Sequence, residues 1–192
     1  ITQGKPSVRE VLKTGSTEVS EVLRLAASID AHSEHPLAAA VVEHARSKNV
    51  EFTPCENYQS VSGRGAEGTL SGHRYFIGNH RFAHELGACT PEIERLLSDI
   101  EREALSVVIV GHKSHDGCQS EVLGIITVGD KIRDDAAKAI KLLHEAGVKQ
   151  VVMLSGDNQR TADAIARQAG IDEVHGDLLP EQKIEHIKRL ID

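Results

Sequence analysis

The tightest constraint on this fold is a change of rhythm near residue 121. Beyond it, apolar runs of strand length alternate with amphipathic runs of helix length: "VLGIITV", "RDDAAKAIKLLHEAG", "KQVVMLSG", "NQRTADAIARQAG" and "PEQKIEHIKRLI". A β–α–β–α order builds a parallel sheet through right-handed crossovers. The first of these helices is expected to carry acids in its first turn and to end at Gly147, as dipole and C-cap preferences favour. Before residue 121 the pattern differs. Helices are expected over 17–31 and 36–48, then strand pieces at "YQSVSG", "AEGTLSG" and "HRYFIG" between glycine turns. Helical stretches over 79–86 and 91–102 precede the strand "LSVVIVG", the loop "HKSHDGCQS" and the run "EVLGIITVG". Helices on an antiparallel sheet fit an α+β half. The fold class expected is therefore α/β, with an α+β domain joined to an α/β one.

Composition narrows the function. The 192 residues are 40% hydrophobic and 27% charged, as in ordinary globular protein, and no apolar run reaches membrane-spanning length. A net charge of −7 and 3% aromatics without tryptophan argue against nucleic acid as a partner. Cys55, Cys89 and Cys118 are scattered, which suggests reduced thiols rather than a disulfide framework. The opening "ITQGKPSVREV" has neither the basic region nor the apolar core of a signal peptide. It does not begin with methionine, so a piece of a longer chain is expected.

Within "SEHPLAAAVVEHA" a helix starts at Pro36, whose fixed φ suits a first helical position. Pro36 biases His35 away from α geometry and so makes it the expected N-cap. Histidine is a poor cap compared with Ser, Thr, Asp or Asn, so something besides helix stability placed it. "GRGAEG" matches G-x-G-x-x-G, but strand-like sequence follows it where a dinucleotide site needs a helix. It fits either a glycine hairpin or a loop that a ligand approaches closely. "MLSGDN" ends a strand and opens a helix; it fits either a ligand-binding strand end or a plain Asx-type cap. Lys183, one turn into a helix after Pro180, fits a solvated lysine as well as an anion contact. "DKIR" fits a charged hinge or a loop. His112, His115 and Cys118 lack a fourth zinc ligand and read as a solvated loop, and His80 and His84 read as surface residues.

Taken in order, Ser33-Glu34-His35-Pro36-Leu37-Ala38, Gly63-x-Gly65, Ser155-Gly156-Asp157-Asn158 and Pro180-x-x-Lys183 resemble one family. It is the cytosolic ATP-binding region of heavy-metal-transporting P-type ATPases of type IB, and the resemblance covers essentially the whole chain. It implies a lead-in over 1–8, a nucleotide-binding domain over 9–127 and, over 128–192, part of a haloacid-dehalogenase-like phosphorylation domain. In that family the His-Pro histidine, here His35, holds adenine, and Glu34 belongs to the same motif. At a positive helix terminus a neutral imidazole is favoured. Asp30 stands where the family usually has Glu, and Gly63 and Gly65 match the glycines that let ribose and phosphates pass. Ser155 stands where the family usually has Thr and would bind the phosphoryl group. Asp157 would contact nucleotide, Lys183 would neutralise the transferring phosphoryl, and Asp130 and Arg133 match the interdomain hinge.

The resemblance further implies ATP and Mg²⁺ as cofactors. The implied partners are the nucleotide and the rest of a pump, its actuator domain and transmembrane helices. The chain would be a cytoplasmic domain of an inner-membrane protein. The family's phosphorylated aspartate, in D-K-T-G-T, is expected just ahead of Ile1, and its G-D-G-x-N-D segment, which helps bind Mg²⁺, just after Asp192. The 192 residues alone are then expected not to turn ATP over. Residues 150–183 look more like zinc, cadmium and cobalt pumps than copper pumps. Two alternatives stand beside this reading: a soluble haloacid-dehalogenase-type phosphatase and a non-catalytic nucleotide-binding regulator. The first wants D-x-D-x-[TV] after an apolar strand, and "GDKIRDD" has the wrong spacing.

Overall fold

The computed structural model describes residues 1–101, 103, 105–114 and 119–191. His115 and Cys118 of the histidine–cysteine loop, and Arg102 at the end of an expected helix, lie outside them. The chain divides into two units: residues 5–97 with 107–129, and residues 1–4, 98–106 and 130–192.

The larger unit is built on a six-stranded sheet. Its strands are β1 (Ser7–Lys13), β2 (Glu56–Val61), β3 (Gly65–Leu70), β4 (His73–Gly78), β5 (Ser106–His112) and β6 (Glu121–Gly129), in the order β1-β6-β5-β4-β3-β2. Strands β1 and β6, β2 and β3, β3 and β4, and β4 and β5 pair antiparallel. The helices α1 (Val19–Asp30) and α2 (Pro36–Ser47) cover one face. Their apolar stripes, Val22, Leu25 and Ile29 on α1 and Val41 and Ala45 on α2, pack with Ile77, Val110 and Ile126 from the sheet. Side chains alternate across a strand, so Phe76 faces the other way. There it meets Phe82 of α3 (His80–Glu85) edge to face, with ring centroids 5.7 Å apart. The helix α4 (Pro91–Glu101) follows and buries Ile93 and Leu97.

Two expectations need correction. The strand "SVREVLK" went unread, because Arg9, Glu10 and Lys13 interrupt the apolar alternation. It is the charged edge β1, with a register irregularity between Val8 and Glu10, both habits of edge strands. And "VLGIITV" does not begin a parallel sheet. It is β6, paired antiparallel with β1. A short buried apolar run looks the same in either kind of sheet, so periodicity could not separate them.

The smaller unit holds α5 (Ala136–Glu145), β7 (Val152–Leu154), α6 (Gln159–Ala169), β8 (Glu173–His175) and α7 (Pro180–Ile191). Its parallel pair is β7 with β8, connected through α6. Gly170 ends α6 at φ 76°, the left-handed C-cap that glycine favours. Helix α5 starts later than expected. Asp135 is its N-cap residue, and its carboxylate takes the Arg133 guanidinium in two bonds of 3.0 and 2.9 Å instead of capping the helix. No described helix is long and apolar enough to cross a membrane.

Candidate functional site

The end of β7 is where the smaller unit gathers chemistry. Ser155 leaves the strand with its N–H donated to His175 O (2.8 Å) and its carbonyl accepting from Leu178 N (3.0 Å), so its position is set by the neighbouring strand and loop. Its hydroxyl accepts from Asp157 N (3.1 Å) and donates to Asp157 Oδ2 (2.8 Å), a closed local turn. Asn158 then caps α6 by accepting from Arg160 N (2.8 Å). Asp177, at φ 55°, accepts from Gln159 N (3.1 Å) and fastens the loop after β8 to the same helix start. Pro180 opens α7, with Gln182 Oε1 accepting from Leu179 N (2.8 Å). One turn on, the Lys183 ammonium lies 3.9 Å from where a Cβ on Gly156 would stand. The structure thus brings Ser155, Gly156, Asp157 and Lys183 together. A hydroxyl, a helix N-terminus and an ammonium converging on one point can hold and neutralise a phosphoryl group.

The candidate base-binding residues lie on the larger unit. His35 is the N-cap of α2, at φ −68° and ψ 137°, and its Nδ1 accepts from Leu37 N at 3.2 Å. An accepting Nδ1 carries no proton, so the proton of the neutral ring sits on Nε2. Ser33 Oγ in turn accepts from His35 N (3.2 Å). His35 and Glu34 are both exposed. Asp30, the last residue of α1, is 8% exposed, and burial pushes its carboxyl up to about 7. Beside it His32 Nε2 is bonded to Cys55 O (2.9 Å) and its ring stacks on Tyr58 at 5.1 Å. An open groove on this unit is lined by Ala31, next to Asp30, with Arg24, Arg46, Val50, Phe52 and Pro54, and none of the predicted residues is in its lining.

"GRGAEG" is a glycine hairpin. Residues 62–64 turn β2 into β3, with Gly63 at φ 66°. Gly65 sits at φ +154°, and a Cβ there would fall 2.0 Å from Ile77 O on β4. Asn79, the N-cap of α3, steadies this turn. Its N–H donates to Arg64 O (2.9 Å) and its Nδ2 to Gly63 O (3.0 Å). The DKIR segment lies against the chain start: Gly4 N donates to Asp130 Oδ2 (2.9 Å), Arg133 N to Ile1 O (3.0 Å), and Thr2 bridges Ile132.

Sequence reading passed over two clusters. Glu67, 8% exposed on β3, accepts from Lys113 Nζ at 2.5 and 2.6 Å and from Arg74 Nη2 at 3.2 Å. His80, read as a surface residue, has a side chain only 16% exposed and bonds Glu94 Oε2 at 2.8 Å, beside Cys89. Neither cluster has a short spacing signature.

A two-strand parallel pair joined through α6, with the turn of Ser155 to Asn158 at the carboxyl end of β7, defines an α/β unit. The chain belongs to the haloacid dehalogenase-like hydrolases, whose family profile matches residues 1–192. It is similar to "Copper-transporting ATPase 1" of Rhizobium meliloti, 37% identical over 190 residues, covering 99% of this chain and 22% of that protein. It is also similar to a probable cadmium-transporting ATPase of Staphylococcus aureus, 30% identical over 195 residues, 99% of this chain and 26% of that one. Among solved structures, a zinc-transporting PIB-type ATPase in an E2·Pi state matches with 34% identity and a TM-score of 0.63, over 99% of this chain and 29% of that chain. The chain therefore spans about a quarter of the length of these relatives. Copper and cadmium transporters both match, so the leaning toward zinc, cadmium and cobalt finds no preference among them.

Proposed function

We propose that this chain is the ATP-binding portion of an ATP-driven transition-metal cation pump, which delivers the γ-phosphate to an aspartate outside these 192 residues. In this reading residues 9–127 hold the nucleotide, residues 128–192 are part of the phosphorylation domain, and the whole lies on the cytoplasmic side of the inner membrane beside an actuator domain and transmembrane helices. The observation that carries it is the meeting of Lys183 with Ser155, Gly156 and Asp157 at the end of β7. The transporter names of the relatives support the pump.

His35 offers a ring and an Nε2–H to adenine. Asp30, poised near neutrality, can both donate and accept as a carboxylic acid, which suits a base edge with an acceptor beside an amino group. Ribose and phosphates would pass along the backbone of the turn at Gly63, while Gly65 holds that turn in place by its close approach to β4. Ser155 and Lys183 hold the γ-phosphoryl group and offset the charge that develops on it. Asp130 and Arg133 form the hinge. Mg²⁺ would enter with the nucleotide and neutralise phosphate oxygens; among the residues of this turn Asp157 supplies the oxygen ligand type that Mg²⁺ takes.

The experiment is calorimetric titration of ATP into the wild-type chain and His35→Asn. Asparagine keeps a good N-cap, so the helix survives while the ring is lost. Binding should fall roughly 5- to 150-fold, the worth of one lost polar contact. Unchanged affinity would refute the role of His35. With γ-labelled ATP and Mg²⁺, the 192-residue chain should form no hydroxylamine-sensitive label, since loss of the nucleophile can cost on the order of 10⁶ in rate. Label on this chain would overturn the placement of the aspartate outside it.

A further inference from the structure

Three donors of different chemistry meet on the larger unit. His80 is the first residue of α3, Cys89 lies in the loop between α3 and α4, and Glu94 is one turn into α4. A ring nitrogen, the sulfur and a carboxylate oxygen of the three all lie within 4.8 Å of one another. Glu94 Oε2 is engaged by His80, while Oε1 is buried with no hydrogen-bond partner. A buried carboxylate oxygen left unpaired is uncommon in native folds and calls for a ligand. The donors are held from below by the core. Phe82 and Ala83 follow His80, Ala88 precedes Cys89, and Ile93 precedes Glu94, all of them buried. The loop is short and tied, with Ala88 N bonded to Ala83 O (3.0 Å).

We propose that His80, Cys89 and Glu94 form a binding site for a thiophilic divalent cation of the zinc and cadmium class, with water completing a four-coordinate shell. Sulfur and nitrogen exclude magnesium and calcium, which take oxygen, while thiolate, imidazole and carboxylate are the three ligand types of zinc. Tetrahedral bonds of about 2.0–2.3 Å place donors about 3–4 Å apart, a modest contraction from the arrangement seen. Burial and the neighbouring Glu94 push the Cys89 thiol up to about 11, so without a cation it keeps its proton. Binding then breaks the S–H bond, forms a sulfur–metal bond and releases one proton to solvent. The site rests on no part of the nucleotide reading.

The test is addition of Cd²⁺ to the reduced 192-residue chain, read by the ultraviolet charge-transfer band of a cadmium–thiolate bond and by calorimetry. One equivalent should bind with the band present. Cys89→Ser should remove the band, and Glu94→Gln and His80→Gln should weaken binding at least tenfold, since even an outer partner of a ligand is worth about 10- to 100-fold. Cys118→Ser should leave band and affinity unchanged. Far-UV circular dichroism of each metal-free variant checks that it is folded, and Glu94→Gln tests the site should Cys89→Ser fail to fold. No cadmium binding by the wild type, a band that survives Cys89→Ser, or a band lost in Cys118→Ser would overturn the proposal.

Discussion

Asp30 shows what burial does to a single residue. Its carboxyl titrates at about 7 when folded, with desolvation as the cause, against about 4 in the unfolded chain. Below about pH 4 both states hold the proton and burial carries no ionic penalty. As pH rises from about 4 to 7, the unfolded chain ionises first, so folding loses stability; above 7 the loss is constant. Asp30→Asn has no proton to lose. It should gain on the wild type by about 2–3 kcal/mol between pH 5 and pH 8, read as the change in their difference in urea unfolding. A difference that does not vary with pH would show that Asp30 is ionised at both. At this scale legibility followed motifs. His35, Ser155 and Lys183 could be singled out because Glu-His-Pro, Ser-Gly-Asp and Pro-x-x-Lys are short, local and in order. His80, Cys89 and Glu94 could not, because two helices and a loop bring them together and no residue spacing records that.

At the scale of elements, β3 carries the sharpest test. Gly65 tolerates no side chain, since the backbone of β4 occupies that space, whereas a Cβ on Gly72 (φ +79°) meets nothing within 4 Å. Gly72→Ala should cost about 1–2 kcal/mol for its left-handed backbone alone. Gly65→Ala should cost more and blunt the cooperativity of unfolding, because β3 and β4 must part. Equal costs in denaturant titrations would refute this. It follows that any loss of ATP binding in a Gly65 variant reports on the hairpin, and only a variant that keeps the sheet can probe the proposed path of the nucleotide. Glu67 lies on the same strand, and Lys113→Met, just after β5, leaves its buried carboxylate with Arg74 alone and should cost about 2–3 kcal/mol. Adding Glu67→Leu should recover part of that, since an apolar replacement of a buried ion pair is often neutral; a further loss on adding it would refute the assignment. Most helices here could be read from periodicity and from Pro or Gly at their ends. The edge strand β1 and the partner of β6 could not, because charge masked the one and burial on both faces hid the other.

At the scale of the whole chain, the two units are not equally well held. The larger has a six-stranded sheet with Phe76, Leu97, Ile109, Ile125 and Ile126 fully buried. In the smaller, β7 and β8 are three residues each and only half-buried, while Leu142 and Leu143 on α5 and Ile184 and Ile187 on α7 are exposed. A two-stranded sheet needs packing beyond itself to be stable, and here much of the apolar surface that could supply it faces outward. The unit that carries Ser155 and Lys183 should therefore open more readily than the unit that carries His35. Native-state hydrogen exchange reads this directly. Amides of α6 and β7 should exchange at least about 100-fold faster than those of β6, corresponding to an opening free energy about 2.7 kcal/mol lower. An excess of a phosphate analogue such as vanadate should slow exchange in α6 by the linkage of binding to stability and leave β6 unchanged. Uniform protection across both units would mean that the short strands are held as firmly as the large sheet. Slowing confined to β6 would overturn the proposed anion site at the end of β7.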